Sequence, residues 1–163
     1  MKGLFSWRGA AGPAEGSEAP PIDLPDQHGE QRLLSDYRGR WVVLYFYPRD
    51  DTPGCTIEAC RFRDGMDELH SMGVEVLGVS LDSPESHAQF AVKYSLPFPL
   101  LADAGGDVAR RYGSLLSLGP MRVAKRRTFI IDDHGKVAKI YRRVKPRSHG
   151  EEVIADLRSL LAR

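Results

Sequence analysis

Trp41-Val42-Val43-Leu44-Tyr45-Phe46-Tyr47 runs directly into Pro48-Arg49-Asp50-Asp51-Thr52-Pro53-Gly54-Cys55. The first stretch is apolar on both faces, which predicts a central strand of a sheet covered from both sides. The second predicts a turn and then a helix, because Thr52 suits the N-cap and Pro53 the first helical position. Gly54 and Cys55 then fall in the first turn, where backbone N–H groups are unpaired and point outward. In a capping box the third helical position carries an acid, whose charge suits the helix dipole. Cys55 occupies that position here, and the charge it would carry is a thiolate's.

Composition narrows the class. A chain of 163 residues is one domain with room for a core of its own. A net charge of +1 gives no global reason to expect nucleic acid or a membrane surface as partner. Two cysteines, Cys55 and Cys60, are too few for a disulfide framework. No stretch approaches the roughly 18 apolar residues of a membrane span, and Arg8 cuts the first apolar run short of a secretory core. The expected compartment is a reducing cytoplasm, where a close cysteine pair is more often catalytic or metal-binding than structural.

Outward from the strand and turn, the organisation is legible. Residues 1–18, rich in Gly, Ala, Pro and Glu without periodicity, predict a mobile extension ahead of a domain over 19–163. Two short extended pieces, Ile22 to Leu24 and Gln31 to Leu34, flank a turn at Asp26-Gln27-His28-Gly29-Glu30. The helix opened by Thr52 can run to Met72, with Ile57, Cys60, Met66 and Leu69 inward. A buried strand is expected over Val74 to Ser80. Ser83-Pro84 opens a further helix that ends before Leu96-Pro97.

A short extended piece over Pro99 to Ala102 and a helix from Gly106 to Tyr112 follow. Arg126 to Ile131 and Val137 to Tyr141 read as a hairpin turning at Asp132-Asp133-His134-Gly135, and Glu151 to Leu161 as a closing amphipathic helix. Alternating strands and helices, finished by a hairpin and a helix, give an α/β thioredoxin-like fold. Its central sheet is mixed and flanked by helices.

Tyr45-Phe46-Tyr47-Pro48 and Asp51-Thr52-Pro53-Gly54-Cys55-Thr56-Ile57-Glu58-Ala59-Cys60 together resemble the signature of peroxiredoxins of the Q type, the bacterioferritin comigratory proteins. Leu24-Pro25-Asp26-Gln27-His28-Gly29, Gly73 to Ser80 and Arg126 to Asp132 resemble family segments in the same order, so the likeness runs from Ala19 to Leu161. It implies a thiol peroxidase reducing hydrogen peroxide and organic hydroperoxides, with Cys55 attacking the O–O bond and becoming a sulfenic acid. By the same resemblance Thr52 hydrogen-bonds thiolate and peroxide, Pro48 shields the site from water, and the family's distant arginine falls on Arg126. Arg126 and Arg127 alternate across their strand, so only one can point at Cys55.

Those residue types suit the chemistry independently of the family. A free cysteine, with a pKa of about 8.5, is mostly protonated at neutral pH, so a cation and a helix N-terminus are needed to populate the thiolate. Displacement at a peroxide oxygen builds negative charge on the departing oxygen, which fixed donors such as Thr52 and Arg126 would stabilise. Cys55 and Cys60, five apart on a helix, are separated by about 7.5 Å of rise and roughly 140° of rotation. A disulfide needs Cα atoms within about 7 Å, so the pair cannot bond unless the helix unwinds.

The resemblance implies that Cys60 is a resolving cysteine, that the disulfide is intramolecular, and that thioredoxin or a similar dithiol reduces it. It also implies a monomer. Unwinding is expected between Thr52 and Arg63. No organic cofactor and no metal is expected, and Asp50 and Asp51 are assigned to the turn and cap. The five histidines fall in turns or near helix ends, where exposure is the default. Glu58 is as compatible with solvent as with the site.

Gly113 to Met121 is a short, apolar loop where many members of the family it resembles have a longer one. From Arg122 to Arg147, ten Lys or Arg face only Asp132 and Asp133, either as a solvated face or as a docking surface for an acidic partner. Three other functions are weighed, one of them a non-enzymatic redox sensor that passes oxidation to a partner through the same Cys55 chemistry. A copper chaperone of this fold would space its thiols differently and add a histidine, and a thiol:disulfide oxidoreductase would carry C-x-x-C.

Overall fold

The computed structural model describes residues 11–163. Its strands and helices follow the expected order. After β1 (Asp23–Pro25) and β2 (Gln31–Leu33) come β3 (Trp41–Phe46), α1 (Pro53–Asp64), α2 (Met66–Ser71) and β4 (Val74–Ser80). Then follow α3 (Pro84–Tyr94), β5 (Leu100–Ala102), α4 (Asp107–Arg111), β6 (Leu115–Leu118), β7 (Met121–Ala124), β8 (Arg127–Ile131), β9 (Val137–Tyr141) and α5 (His149–Leu161).

Five strands make the central sheet in the order β5-β4-β3-β8-β9, with β3 in the middle. It is mixed, as expected: β3, β4 and β5 run parallel, whereas β8 is antiparallel to both β3 and β9. Strand alternation divides the core into two layers. Val43 and Tyr45 face a cluster with Cys55, Ala59, Phe62, Leu69, Phe90 and Leu157. Val42, Leu44 and Phe46 face another with Ile22, Tyr37, Val108, Tyr112 and Phe129. Among the described residues, no helix is long and apolar enough to cross a membrane.

Four local expectations change. The single helix from Thr52 to Met72 is two, because Gly65 leaves helical geometry at φ −92°, ψ 1°, its amide bonding to Arg61 and Phe62 carbonyls before α2 begins. The inward face of α1 is set by Cys55 and carries Glu58, Ala59 and Phe62 at i+3, i+4 and i+7. Ile57 and Cys60, expected inward, are out of phase with it and only half-buried. The loop Gly113 to Met121 contains strand β6, which pairs with β7 across the turn Gly119-Pro120. That pairing leaves Leu118 and Met121 exposed at the tip.

Of the mobile extension expected over residues 1–18, residues 1–10 lie outside the described residues. The remainder is tied down. Gly16 donates to the Val137 carbonyl at 2.7 Å, Val137 donates to Ser17 at 2.9 Å, and Glu18 bridges Lys136. Ile140 N–H also bonds the Glu15 carboxylate at 3.1 Å. This strip covers the free edge of β9, where unpaired backbone groups would otherwise face outward. Gly12, at φ +77°, crosses against the Tyr112 carbonyl, where a Cβ would collide.

Candidate active site

β3 delivers the chain to the C-terminal edge of its parallel strands, and the turn after Tyr47 reverses it into α1. Asp51 takes a left-handed conformation at φ 59°, pinned by Lys93 Nζ at 2.7 Å and Tyr94 Oη at 2.8 Å. Helix α1 then starts at Pro53 with Cys55 as its third residue, 1% exposed. The local sequence and the structure agree on this geometry because cap, proline and left-handed turn all specify one chain reversal.

From β8's edge, Arg126 reaches across to this thiol. Its Nη2 lies 3.4 Å from Cys55 Sγ, and its Nη1 donates to Glu58 Oε1 at 2.8 Å. Arg127 turns to the other side and bonds the Gly113 carbonyl at 2.7 Å, as strand alternation requires. The approach of Arg126 depends on Gly54: a Cβ there would stand 3.0 Å from Arg126 Nη2 and 3.6 Å from Pro146 Cγ. The guanidinium and the first-turn amides both place positive character around the sulfur.

Glu58 is fully buried beneath this pair. Burial pushes its carboxyl up to about 7, against the pull of Arg126. Its Oε2 and the hydroxyl of Tyr45 are buried without a hydrogen-bond partner among the described residues. The helical spacing of Glu58 from Cys55 was the signal for it, since i+3 shares a face.

Thr52 holds the N-cap position, but its hydroxyl donates to the Arg49 carbonyl at 2.9 Å instead of accepting from the first turn. Pro48 is half-buried at the start of the turn. Cys60 is half-buried on the same helix as Cys55, and both are free thiols. Cys55, Arg126 and Glu58 therefore meet directly, whereas Cys60 stands apart along α1.

Two histidines expected to be exposed are fully buried. His87 bonds Asp50 Oδ2 through Nδ1 at 2.7 Å and the Leu101 carbonyl through Nε2 at 3.0 Å. Asp50 also accepts from Tyr47 Oη at 2.6 Å and Ser86 Oγ at 2.8 Å, so it anchors the turn to α3 rather than capping α1. His149 contacts Thr128 Oγ1 at 2.7 Å and Glu152 at 2.9 Å, and burial lowers its pKa. The signal for both was helical phase: His87 lies one turn from Phe90 and Ala91, and His149 one turn from Val153.

Asp50, Asp82 and His87 bring ligand atoms within 4.8 Å of one another, a grouping that sequence distance conceals. The contacting oxygens and nitrogens are already engaged, Asp82 Oδ2 with the Asp50 amide and Ser80 Oγ. The group fits a hydrogen-bonded brace for the turn.

A thioredoxin-like sheet with a buried cysteine opening the helix after its central strand, and an arginine laid on the sulfur, defines a thiol-reactive protein. The chain belongs to the AhpC/TSA family, whose pattern matches residues 16–140. Peroxiredoxin Bcp of Bacillus subtilis is 40% identical over 149 residues, covering 89% of this chain and 95% of that one. Chloroplastic peroxiredoxin Q of Sedum lineare is 44% identical over 147 residues, covering 90% and 78% respectively. The crystal structure of peroxidoxin BcpB from Mycobacterium tuberculosis superposes with a TM-score of 0.84 at 37% identity, covering 90% of this chain and 97% of its own. Bacterioferritin comigratory protein of Xanthomonas campestris gives 0.81 at 33%, covering 86% and 92%.

Proposed function

We propose that Cys55 is the peroxidatic cysteine of this peroxiredoxin and Cys60 its resolving partner. The protein is a thiol peroxidase, in keeping with its relatives. The observation that carries the assignment of Cys55 is the Arg126 guanidinium 3.4 Å from a sulfur that is otherwise packed in the core. An inert core cysteine needs no such neighbour.

In the first step the Cys55 thiolate attacks the terminal oxygen of the peroxide, the O–O bond breaks, and the leaving oxygen departs as water or an alcohol after protonation. Arg126 stabilises the charge that develops, and Thr52 turns its hydroxyl from Arg49 toward the peroxide. Pro48 shields the attack from water. In the second step the Cys60 thiol displaces hydroxide from the Cys55 sulfenic acid, which leaves as water and yields the intramolecular disulfide. Hydrogen peroxide and organic hydroperoxides are the substrates. The Xanthomonas relative is described by its alkyl peroxide reduction activity, which supports the second class.

Forming the disulfide requires the first turns of α1 to unwind. Phe62 sets the limit of that unwinding: it is fully buried, 4.8 Å from the ring of Tyr45 and 5.8 Å from that of His149. Exposing it would cost about 1.5–3 kcal/mol in lost burial alone. Unwinding from Pro53 through Arg61 frees both cysteines and leaves Phe62 docked. The protein acts as a cytoplasmic monomer, with thioredoxin or a similar dithiol as reductant.

NADPH oxidation coupled through thioredoxin reductase and thioredoxin tests these roles. Wild type consumes hydrogen peroxide and an alkyl hydroperoxide; Cys55→Ser loses all turnover. Cys60→Ser reacts once with peroxide and then stalls with thioredoxin. Unchanged thioredoxin-supported turnover in Cys60→Ser would remove the resolving role.

A further inference from the structure

The segment joining β9 to α5 reads Arg142-Arg143-Val144-Lys145-Pro146-Arg147-Ser148, four cations and no acid. All four charged side chains are exposed, and none forms an ion pair among the described residues. Several other surface cations are paired: Arg40 with Glu75, Lys93 with Asp51, Arg110 with Asp107, Lys139 with Asp156 and Arg158 with Glu68. In a chain of net charge +1, four unpaired charges on one loop are a local field rather than a reflection of composition.

The loop's position gives that field a purpose. The pairing Thr128↔Tyr141 carries Arg142 to the level of Arg127, one residue along β8's edge from Arg126 and on the sheet face that Arg127 shares. Its far end meets the start of α1 and passes into α5, which lies against the rest of that helix. Pro146 stands over Gly54, His149 packs edge-on to Phe62 at 5.8 Å, and Gly150 meets Arg61 so closely that a Cβ would lie 3.2 Å from the Arg61 Cβ. Gly54 and Arg61 bracket Cys55 and Cys60, so the cationic loop, at Pro146, and the first turn of α5 that continues it together border the stretch of α1 in which the disulfide would appear.

We propose that Arg142, Arg143, Lys145 and Arg147 form the docking surface for an acidic dithiol protein that reduces the Cys55–Cys60 disulfide. This rests on the two-cysteine reading above. A thiolate of the partner attacks one sulfur of the disulfide, forming a mixed disulfide and releasing the other cysteine as thiolate. The partner's second thiol then displaces the protein sulfur. The partner leaves with its own disulfide, and the two electrons and two protons it gave up restore both thiols of this chain. Exposed charges at such a rim act on encounter rate and salt dependence more than on the bond exchange itself.

The test replaces all four cations by glutamine (Arg142→Gln, Arg143→Gln, Lys145→Gln, Arg147→Gln) and compares two reductants, an acidic thioredoxin and the neutral dithiol dithiothreitol. For wild type, kcat/KM with the thioredoxin falls as ionic strength rises. In the variant it is lower by about tenfold at low salt and the salt dependence flattens. Dithiothreitol-supported turnover and the single-turnover reaction with hydrogen peroxide stay at wild-type rates.

Equal thioredoxin kinetics in variant and wild type overturns the proposal. So does an equal loss with dithiothreitol, or a loss confined to a carboxylate-bearing hydroperoxide, which would make the loop a substrate-binding element. Wild type active with dithiothreitol but inert with the thioredoxin overturns the acidic partner while leaving the peroxidase standing. Inactivity with both reductants removes the two-cysteine reading, and this proposal with it.

Discussion

On one side of the turn between Tyr47 and Thr52, Asp50 and His87 are buried with every side-chain polar atom partnered. On the other, Cys55, Glu58 and Tyr45 are buried, and among the described residues two of their oxygens have no hydrogen-bond partner. Both groups attach to the same short segment of chain and both lie within the sheet–helix core. The first is saturated, so it holds the turn rigidly and offers nothing to a ligand. The second keeps an arginine and a thiol in contact while leaving polar capacity unspent, as expected where a reaction supplies the missing partner.

Breaking the saturated side has the largest expected effect, and it falls on stability. His87→Ala leaves Asp50 buried without its main partner and lowers unfolding free energy by about 3–5 kcal/mol in urea titration. The peroxide rate constant of the folded fraction changes far less. A variant of full stability with a collapsed rate would reverse the roles assigned to the two sides.

Arg126→Ala strikes the unsaturated side. The second-order rate constant with hydrogen peroxide drops by about 10²–10³, the range for removing one donor that stabilises developing charge. Stopped-flow measurement over a range of peroxide concentrations gives that constant directly.

Glu58 sharpens the comparison through pH. Its folded pKa, about 7, lies above the 4.5 of an unperturbed carboxyl. Its contribution to stability is therefore complete below pH 4.5 and is lost as the pH rises through about 7, where the buried carboxyl ionises. The difference in unfolding free energy between Glu58→Gln and wild type should shift across that window in favour of the variant. A difference that stays flat from pH 4 to 8 would mean, by the same linkage, that Glu58 titrates alike in the folded and unfolded protein and that burial does not raise its pKa.

The smallest effect comes from Gly54→Ala. Its Cβ, at 3.0 Å from the end of the Arg126 side chain, displaces a flexible group rather than backbone. Stability changes by less than about 1 kcal/mol, while the peroxide rate constant falls severalfold because the guanidinium is moved off the sulfur.

Much of the reactive side was legible before any coordinates. Thr52, Pro53 and Cys55 are adjacent in the chain, and local backbone rules alone put the cysteine in a helix's first turn. The choice of Arg126 over Arg127 needed only strand alternation and the family's register. Glu58 was legible in principle from its i+3 spacing. It stayed open because burial of a carboxylate depends on what lies above the helix, and here that is Arg126, 68 residues away in sequence.

The sequence by itself determined the order of elements, the central place of Trp41–Phe46 and the position of the thiol, because each follows from periodicity, caps and turns within about ten residues. Only the tertiary structure decided the burial of His87 and His149 and the union of Asp50 with α3. It alone also decided the docking of residues 15–18 along β9 and the approach of Pro146 to the start of α1. Those contacts join segments far apart in the chain, and side-chain burial is a property of the assembled layers rather than of any one stretch.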